Sequence, residues 1–418
     1  MTIRAFVVIL CALPAAVIST NNASETVIED PLSQDPDLEI VHLYRNQWPT
    51  GIAVSNTGRK FSCFPSGLDG DNTYTGNNNV FQVAELTSFD EETAWPDVET
   101  NSPPGGCLNF SGPFPVSVGD PDHFLSVQTV ICDRDDKLYV LDTGRCMYQN
   151  VLTDSTPGGP KIVIYDLKNN DALVQVITFD PRVLSAIGYP LDITIDEGRQ
   201  IAYVGDGSPD GPNAILIIFL LTGEQYRRLD YDPTVTAVNG FLGWIWGSPV
   251  YQQRYSGSGI PVDAIFPTFG IDGVTLSFDK STLYWSPFAS RFLYCIDTET
   301  LLNLNASEAD VSSAVRNKGE VGFAGGIASS SNRTIYAGQA ENDGVTMYNP
   351  DTGFATLLVH DPRINFVDRF ALLNDKIYFI VNQLMYTRLT YPGTDRRVKP
   401  YVLFGYPLPP DTNSGVGN

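Results

Sequence analysis

Charged residues, methionine and histidine are all scarce in this sequence of 418 residues. Lys, Arg, Asp and Glu make up 18% of the chain, below the quarter that is usual for globular proteins. This shortage argues against a coiled coil or a helical array, because both are rich in Glu and Lys. Met occurs 4 times, whereas Tyr occurs 20 times and Phe 22 times. Aromatic side chains fit the pleated surface of a sheet, so the composition favours strands.

Motifs for nucleophilic catalysis and for nucleotide binding are missing. The chain has 3 His residues, and His42, His123 and His360 form no Ser–His–Asp pattern. The sequences GxSxG, HExxH and GxGxxG and the Walker A loop do not occur. Triad chemistry and nucleotide binding therefore have little support.

Positive charge is in short supply, with 26 Lys and Arg against 48 Asp and Glu and a net charge of −22. A field of this sign repels phosphate backbones and anionic lipid, so we expect no nucleic-acid partner. The negative charge favours cationic small molecules or basic proteins as partners. Alternatively, the acidity serves only to keep the protein soluble.

Long hydrophobic runs are absent beyond the N-terminal region. The run Ala5–Ile18 is too short to span a bilayer and has the size of the apolar part of a signal peptide. We expect a signal peptide over residues 1–19, a flexible acidic segment over residues 20–40, a secreted protein and no membrane span. Four sequons for N-glycosylation agree with secretion, at Asn22, Asn109, Asn305 and Asn332.

Cysteines are few and widely spaced. Five remain after removal of the predicted signal peptide, so at least one is unpaired or pairs between chains. The absence of CxxC favours disulfides over a metal site, within the group Cys107, Cys132 and Cys146. Cys295 lies in the apolar run FLYCI and is predicted to be a buried free thiol. The pairing of Cys63 stays open.

A weak unit recurs six times and predicts the fold. Each copy has an apolar strand, a polar turn and a second strand, and another strand pair follows it. Four strands over about 40–50 residues have the size of a propeller blade. The sequence thus predicts an all-β, six-bladed β-propeller over residues 41–410, with one helix over Ser307–Asn317. Chance similarity of hairpins in a two-sheet protein is disfavoured, because the copies share an anchor on the second strand, at Ser62, Tyr139, Tyr203, Tyr284, Tyr336 and Tyr378.

Several of these segments resemble a known family. The run VICDRDDKLYVLDTG resembles the hallmark strand of the yellow and major royal jelly protein family. LDITIDEGRQIAYVGDGSPDGPNAILI, GIDGVTLSFDKSTLYWSPFASRFLY and INFVDRFALLNDKIYFIVNQL resemble its later blade motifs. The resemblance extends from about Trp48 to Tyr386 and implies a secreted six-bladed propeller. It also implies a disulfide between Cys107 and Cys132.

Three acidic residues occupy equivalent places in the repeat. Asp192, Asp272 and Asp368 lie ten to twelve residues before the anchor tyrosines of their copies, where an innermost strand begins. Such starts ring one mouth of a propeller channel. Together with Asn342, these carboxylates can hold Ca²⁺, attract a protonated amine or supply an acid or base. Asp192 and Asp272 are the metal candidates. Alternatively, each Asp caps a turn of its own blade through backbone N–H groups.

Aromatic residues supply a second candidate feature. Trp244, Trp246 and Tyr251 can form cation–π walls for an amine, or a packed lid over the propeller. Phe366 can line the channel or belong to the core. Two functions follow from the resemblance: binding of a small cationic or aromatic ligand in the central channel, or dopachrome-like isomerisation. A lactonase-like, metal-dependent enzyme is a further alternative, and a storage role predicts no pocket chemistry.

Overall fold

The computed structural model describes residues 34–72 and 81–409. The predicted signal peptide, the sequon at Asn22 and most of the predicted acidic segment lie outside these residues. Among the described residues there are two short α-helices, α1 (Thr298–Leu302) and α2 (Glu308–Ser313), and 3₁₀ turns at Gly70–Asn72 and Leu384–Tyr386. None of these helices is long and apolar enough to cross a membrane.

Strands make up most of the described structure and are numbered here in chain order. The first half of the chain contains β1 (Glu39–Tyr44), β2 (Gly51–Val54), β3 (Lys60–Cys63), β4 (Val83–Leu86), β5 (Glu92–Ala94), β6 (Leu108–Asn109), β7 (Val116–Ser117), β8 (Val127–Cys132), β9 (Lys137–Asp142), β10 (Met147–Tyr148), β11 (Val151–Leu152), β12 (Lys161–Asp166), β13 (Ala172–Thr178), β14 (Pro190–Asp196), β15 (Ile201–Asp206), β16 (Ala214–Phe219) and β17 (Gln225–Arg228). The second half contains β18 (Gly243–Ile245), β19 (Ser248–Val250), β20 (Gln252–Tyr255), β21 (Pro261–Ile265), β22 (Ile271–Leu276), β23 (Thr282–Pro287), β24 (Phe292–Asp297), β25 (Arg316–Glu320), β26 (Ile327–Ser329), β27 (Ile335–Gln339), β28 (Gly344–Asn349), β29 (Phe354–His360), β30 (Val367–Leu373), β31 (Lys376–Val381) and β32 (Tyr401–Pro407).

Six antiparallel four-stranded sheets form the blades, which confirms the predicted all-β, six-bladed propeller. From the channel outward they are β2–β3–β4–β5, β8–β9–β12–β13, β14–β15–β16–β17, β22–β23–β24–β25, β26–β27–β28–β29 and β30–β31–β32–β1, here blades one to six. Short ribbons lie outside the blades: β6–β7, β10–β11, β18–β19 and β20–β21.

Blade six joins the two ends of the described chain. Strand β1 pairs with β32, from Glu39 opposite Gly405 to Tyr44 opposite Tyr401. The ring is therefore closed by a ladder of backbone hydrogen bonds, so blade six cannot separate from blade one without breaking that ladder.

The apolar run in blade three shows why the strands are so hydrophobic. Leu216 and Ile218 of β16 pack toward blade two, whereas Ile215 and Ile217 pack toward blade four. Successive side chains of a strand point to opposite faces, and both faces of an inner blade strand are covered by neighbouring blades. A continuous apolar run is therefore required here, rather than alternation of apolar and polar residues.

The predicted helix over Ser307–Asn317 is only partly correct. Ser307 caps α2 by accepting a hydrogen bond from the backbone N–H of Asp310, and the helix ends at Ser313. Arg316–Glu320 instead forms β25, with Arg316 opposite Cys295 of β24. The end of the predicted helix is a strand because it supplies the fourth strand of blade four.

The disulfide predicted between Cys107 and Cys132 is wrong. Cys107 pairs with Cys146, with a Cα–Cα distance of 6.4 Å. Cys132 ends β8, and β9 then returns the chain to the side of the propeller where β8 begins, which brings Cys146 rather than Cys132 to Cys107. Cys132 and Cys63 are free, and Cys295 is the buried free thiol that the sequence predicts.

Candidate functional site

The innermost strands all begin at the same end of the channel. Because every blade is an antiparallel four-stranded meander, each new blade starts on the side where the previous one started. We call the end where β2, β8, β14, β22, β26 and β30 begin the entry mouth, and the opposite end the exit mouth. Asp192, Asp272 and Asp368 lie on β14, β22 and β30, close to the entry mouth as predicted.

The three carboxylates meet at one buried guanidinium, that of Arg369. Asp272 Oδ1 accepts a hydrogen bond from Nη2 at 2.8 Å. Asp368 Oδ1 lies 3.3 Å from Nη1, and Asp192 Oδ1 lies 3.4 Å from Nε. All four side chains are at least nine-tenths buried. The structure thus brings the carboxylates of Asp192, Asp272 and Asp368 together around one side chain.

Sequence reasoning missed Arg369 because neighbours on a regular strand point to opposite faces. The register of β30 against β31 shifts between Val367 and Phe370, and such an irregularity breaks the alternation. Asp368 and Arg369 can then both face the channel. The one signal in the sequence was chemical: three buried acids require a nearby cation, and Arg369 directly follows one of them.

The three acids differ in their remaining partners. Asp192 accepts hydrogen bonds from the backbone N–H groups of Ile193 and Val274, each at 2.9 Å. Asp368 Oδ2 accepts one from Asn382 Nδ2 at 2.5 Å. Asp272 Oδ2 accepts no hydrogen bond from any residue within 34–72 and 81–409. The capping role considered for all three acids thus applies to Asp192 but not to Asp272.

Burial disfavours the charged form of each acid. It raises the pKa of Asp368 to about 7 and that of Asp192 to about 6, although the nearby Arg369 lowers both. The pKa of Asp272 is also raised by burial, again against the effect of Arg369. Burial alone would lower the pKa of Arg369, but the three carboxylates raise it, so the guanidinium stays charged.

A cavity of about 350 Å³ opens above this cluster at the entry mouth, and we call it the entry cavity. Asp272, Asp368 and Gln128 line it, and Tyr189 donates a hydrogen bond from its hydroxyl to Gln128 Oε1 at 3.2 Å. The volume lies in the range of small-molecule sites. Its walls are largely apolar, and they include the aromatic rings of Trp48, Tyr251, Tyr255, Phe269 and Phe288.

A second cavity, of about 490 Å³, lies at the exit mouth and is called the exit cavity. Asp192 and Arg369 line this cavity, whereas Asp272 and Asp368 line the entry cavity. The ion cluster therefore lies between the two. The lining of the exit cavity includes hydroxyl-bearing side chains, namely Thr129, Thr194, Thr275 and Ser329.

Other predicted site residues lie elsewhere. Phe366 is buried in the core beside Phe288, with ring centroids 6.2 Å apart, and does not line either cavity. Asn342 is exposed in the turn after β27 and donates to Gln339 Oε1 at 3.3 Å, so it does not join the three acids. Trp244 and Trp246 are half-exposed in the ribbon β18–β19, while Tyr251 does line the entry cavity.

The calcium site considered for Asp192 and Asp272 does not fit this arrangement. The guanidinium of Arg369 occupies the point on which the carboxylates converge, and a metal ion placed there would meet a fixed positive charge. Within the part of the chain that the structure describes, no group of three or more His, Cys, Asp or Glu side chains could hold a metal ion.

Fold and site together define a six-bladed propeller with an aromatic channel cavity above a buried acidic cluster. Residues 125–385 match the family model described as major royal jelly protein. This match covers more than half of the chain, and the chain belongs to the major royal jelly protein family.

Curated proteins from Apis mellifera are similar to part of this chain. Major royal jelly protein 3 is 26% identical over 204 residues, which cover 46% of this chain and 32% of the relative. Major royal jelly protein 7 is 24% identical over 206 residues, covering 46% of this chain and 39% of the relative. The matched region thus spans less than half the length of these relatives.

Solved structures are similar at low identity. A luciferin-regenerating enzyme has a TM-score of 0.49 and 10% identity, with 90% of this chain and 96% of that chain covered. A streptogramin B lyase has a TM-score of 0.46 and 11% identity, with 88% and 97% covered. These similarities do not indicate which ligand this protein binds or which reaction it catalyses.

Proposed function

We propose that this protein is secreted and binds a small cationic, aromatic ligand in the entry cavity. The observation that carries the proposal is Asp272: its side chain is buried and lines the cavity, and its Oδ2 has no hydrogen-bond donor among the described residues. This oxygen faces the cavity, and an ammonium group entering the cavity would donate a charge-assisted hydrogen bond to it.

The charge and the walls of the entry cavity favour a cationic ligand. Three carboxylates face a single guanidinium at the floor, and the chain as a whole carries a charge of −22. The aromatic walls offer π faces to a cation. Arg254, which also lines the cavity, is neutralised by Asp263 at 2.6 Å. The floor is therefore negative, and cations at the rim do not offset it.

Calorimetry with serotonin and dopamine tests the proposal, with anionic analogues of similar size as controls. We expect the amines to bind, the anions not to bind, and affinity for the amines to fall as salt rises. Equal affinity for both charge types would contradict the proposal.

Asp272→Asn provides the matched variant. It should weaken amine binding at least about tenfold, because a charge-assisted hydrogen bond is worth about 1.5–3 kcal/mol. Asp192→Asn is the control, because Asp192 also contacts Arg369 but lines the exit cavity and not the entry cavity. A larger loss in Asp192→Asn than in Asp272→Asn would place the ligand elsewhere.

An isomerase or tautomerase is the second candidate, and Asp368 favours it. Its carboxylate lines the entry cavity with a pKa near 7, the range in which a general acid or base works best at neutral pH. A dopachrome conversion assay on the protein and on Asp368→Asn tests this candidate. Conversion no faster than in buffer would leave ligand binding as the function. A lactonase-like metal enzyme is not favoured, because Arg369 occupies the centre of the cluster.

Glycosylation of the sequons provides a test of secretion. Asn109 and Asn305 are exposed and Asn332 is half-buried, so their positions permit glycosylation. Glycosidase treatment of protein recovered from the medium of eukaryotic cells should lower its mass. Protein retained in the cells without glycans would contradict secretion.

A further inference from the structure

The guanidinium of Arg369 lies inside a shell of oxygen atoms drawn from several blades. Its nitrogen atoms lie 2.8–3.4 Å from six of them. Three are carboxylate oxygens and three are neutral. The six are Oδ1 of Asp192, Oδ1 of Asp272, Oδ1 of Asp368, Oγ1 of Thr129 and the backbone oxygens of Leu191 and Asp368.

Such a shell has the composition of a divalent-cation site, although around the guanidinium its three carboxylates are not spaced to hold a metal ion. Ca²⁺ takes six to eight hard oxygen ligands, typically several carboxylates with carbonyl or hydroxyl oxygens. The charge also suits a divalent ion, because three carboxylates, when all are ionised, carry three negative charges against the single positive charge of the guanidinium. A metal ion and the guanidinium cannot share the centre, since both would need the same oxygen atoms.

We propose that Arg369 is the specificity-determining residue of the channel: its guanidinium fills an oxygen-lined cation position and thereby excludes metal ions. The planar fork of Arg reaches acids from blades three, four and six at once, which the single ammonium of Lys cannot do. Arg369 neutralises one of the three charges and leaves Asp272 Oδ2 without a donor toward the entry cavity. The selection of an organic cation rests on the proposed function, whereas the exclusion of metal does not.

Calcium uptake by the purified protein tests the exclusion without any organic ligand. Wild type, Arg369→Lys and Arg369→Ala are compared by calcium titration and by melting temperature with and without excess calcium. We expect Arg369→Ala to bind calcium and to melt higher in its presence, because ligand binding to the folded state raises stability. Wild type and Arg369→Lys should show no calcium uptake beyond that of the surface acids and no comparable rise in melting temperature.

This protein is acidic, so carboxylates on its surface also attract calcium. A further variant therefore tests whether the calcium gained by Arg369→Ala binds in the channel. Adding Asp272→Asn to Arg369→Ala should remove the gained uptake. Calcium that binds wild type and is lost in Asp272→Asn alone overturns the proposal, as does a folded Arg369→Ala protein that takes up no calcium.

Removal of Arg369 leaves three acids buried together. Recovery of folded Arg369→Ala only in the presence of calcium supports the proposal. If it does not fold with calcium either, the variant Arg369→Ala/Asp192→Asn decides, because it carries one buried charge fewer. Calcium uptake there supports the proposal, and its absence overturns it. Amine affinity, measured separately on wild type and Asp272→Asn, tests the proposed function independently.

Discussion

Arg369 Nη2 and Asp272 Oδ1 meet at 2.8 Å, although 97 residues separate them along the chain. The same nitrogen atom donates to the backbone oxygen of Leu191, also at 2.8 Å. One side chain from blade six therefore contacts blades three and four at the centre of the ring. The contacts make the cluster part of the packing of the propeller as well as the floor of its cavity.

Asp192 and Asp272 should differ in their effect on stability. Asp192→Ala leaves two buried N–H groups, of Ile193 and Val274, without their acceptor, and we expect a loss of about 1–3 kcal/mol for each. Asp272→Asn keeps an oxygen acceptor for Arg369 and weakens that hydrogen bond by removing the charge, but it also relieves repulsion with the other acids, so we expect a change below about 1 kcal/mol. Urea unfolding of both variants measures the difference. A larger loss for Asp272→Asn would show that Asp272 is structural as well.

Asp368 should make stability fall as pH rises. Burial raises its pKa to about 7 in the folded protein, whereas an unfolded Asp titrates near about 3.9. The folded state thus holds a proton that the unfolded state releases between about pH 4 and pH 7, and stability falls across that window, by at most about 1.4 kcal/mol per pH unit. Asp368→Asn removes this contribution, so its stability relative to wild type should increase from about pH 4 to pH 7. A constant difference across the window would contradict the raised pKa.

The disulfide between Cys107 and Cys146 should be important for stability. It closes a loop with a sequence separation of 39, worth about 4 kcal/mol by loop-closure entropy. Changing both residues to Ser should lower the free energy of unfolding by roughly that amount, whereas Cys132→Ser should have little effect. Peptide mapping that found Cys107 joined to Cys132 would refute the pairing.

The buried pair of Lys161 and Asp142 gives a further stability prediction. Lys161 Nζ lies 2.9 Å from Asp142 Oδ2, and both side chains are almost wholly buried. Lys161→Met should cost about 3–5 kcal/mol, because Asp142 would keep its backbone N–H donors but would be left as a buried charge without a counter-ion. Arg254→Met, which breaks the exposed pair with Asp263, is the control and should leave the urea midpoint unchanged. Equal effects of the two substitutions would show that the buried pair contributes no more than a surface one.

Much of the fold could be predicted from local patterns of apolar and aromatic residues in the sequence. The anchor tyrosines and the apolar run Ala214–Leu221 predict strands, because both report which faces a strand buries. Six recurrences then predict six blades, and the position of Asp192, Asp272 and Asp368 in the repeat predicts one shared location. Helix α2 was predicted at its start, since Ser307 is a local capping signal, but not at its end. The helix ends where it does because the residues that follow pair with β24 as the outer strand of blade four.

The sequence by itself determined the repeat, the six blades and the place of three acids at the start of inner strands, since these follow from short-range periodicity. Only the tertiary structure decided that Cys146 rather than Cys132 meets Cys107, because strand direction, not sequence distance, sets which cysteines approach. It also decided that Arg369 turns into the channel and that, of the three acids, Asp272 is the one with an oxygen that accepts no hydrogen bond from the described residues. Those outcomes depend on a register shift in β30 and on contacts across several blades, which no local pattern encodes.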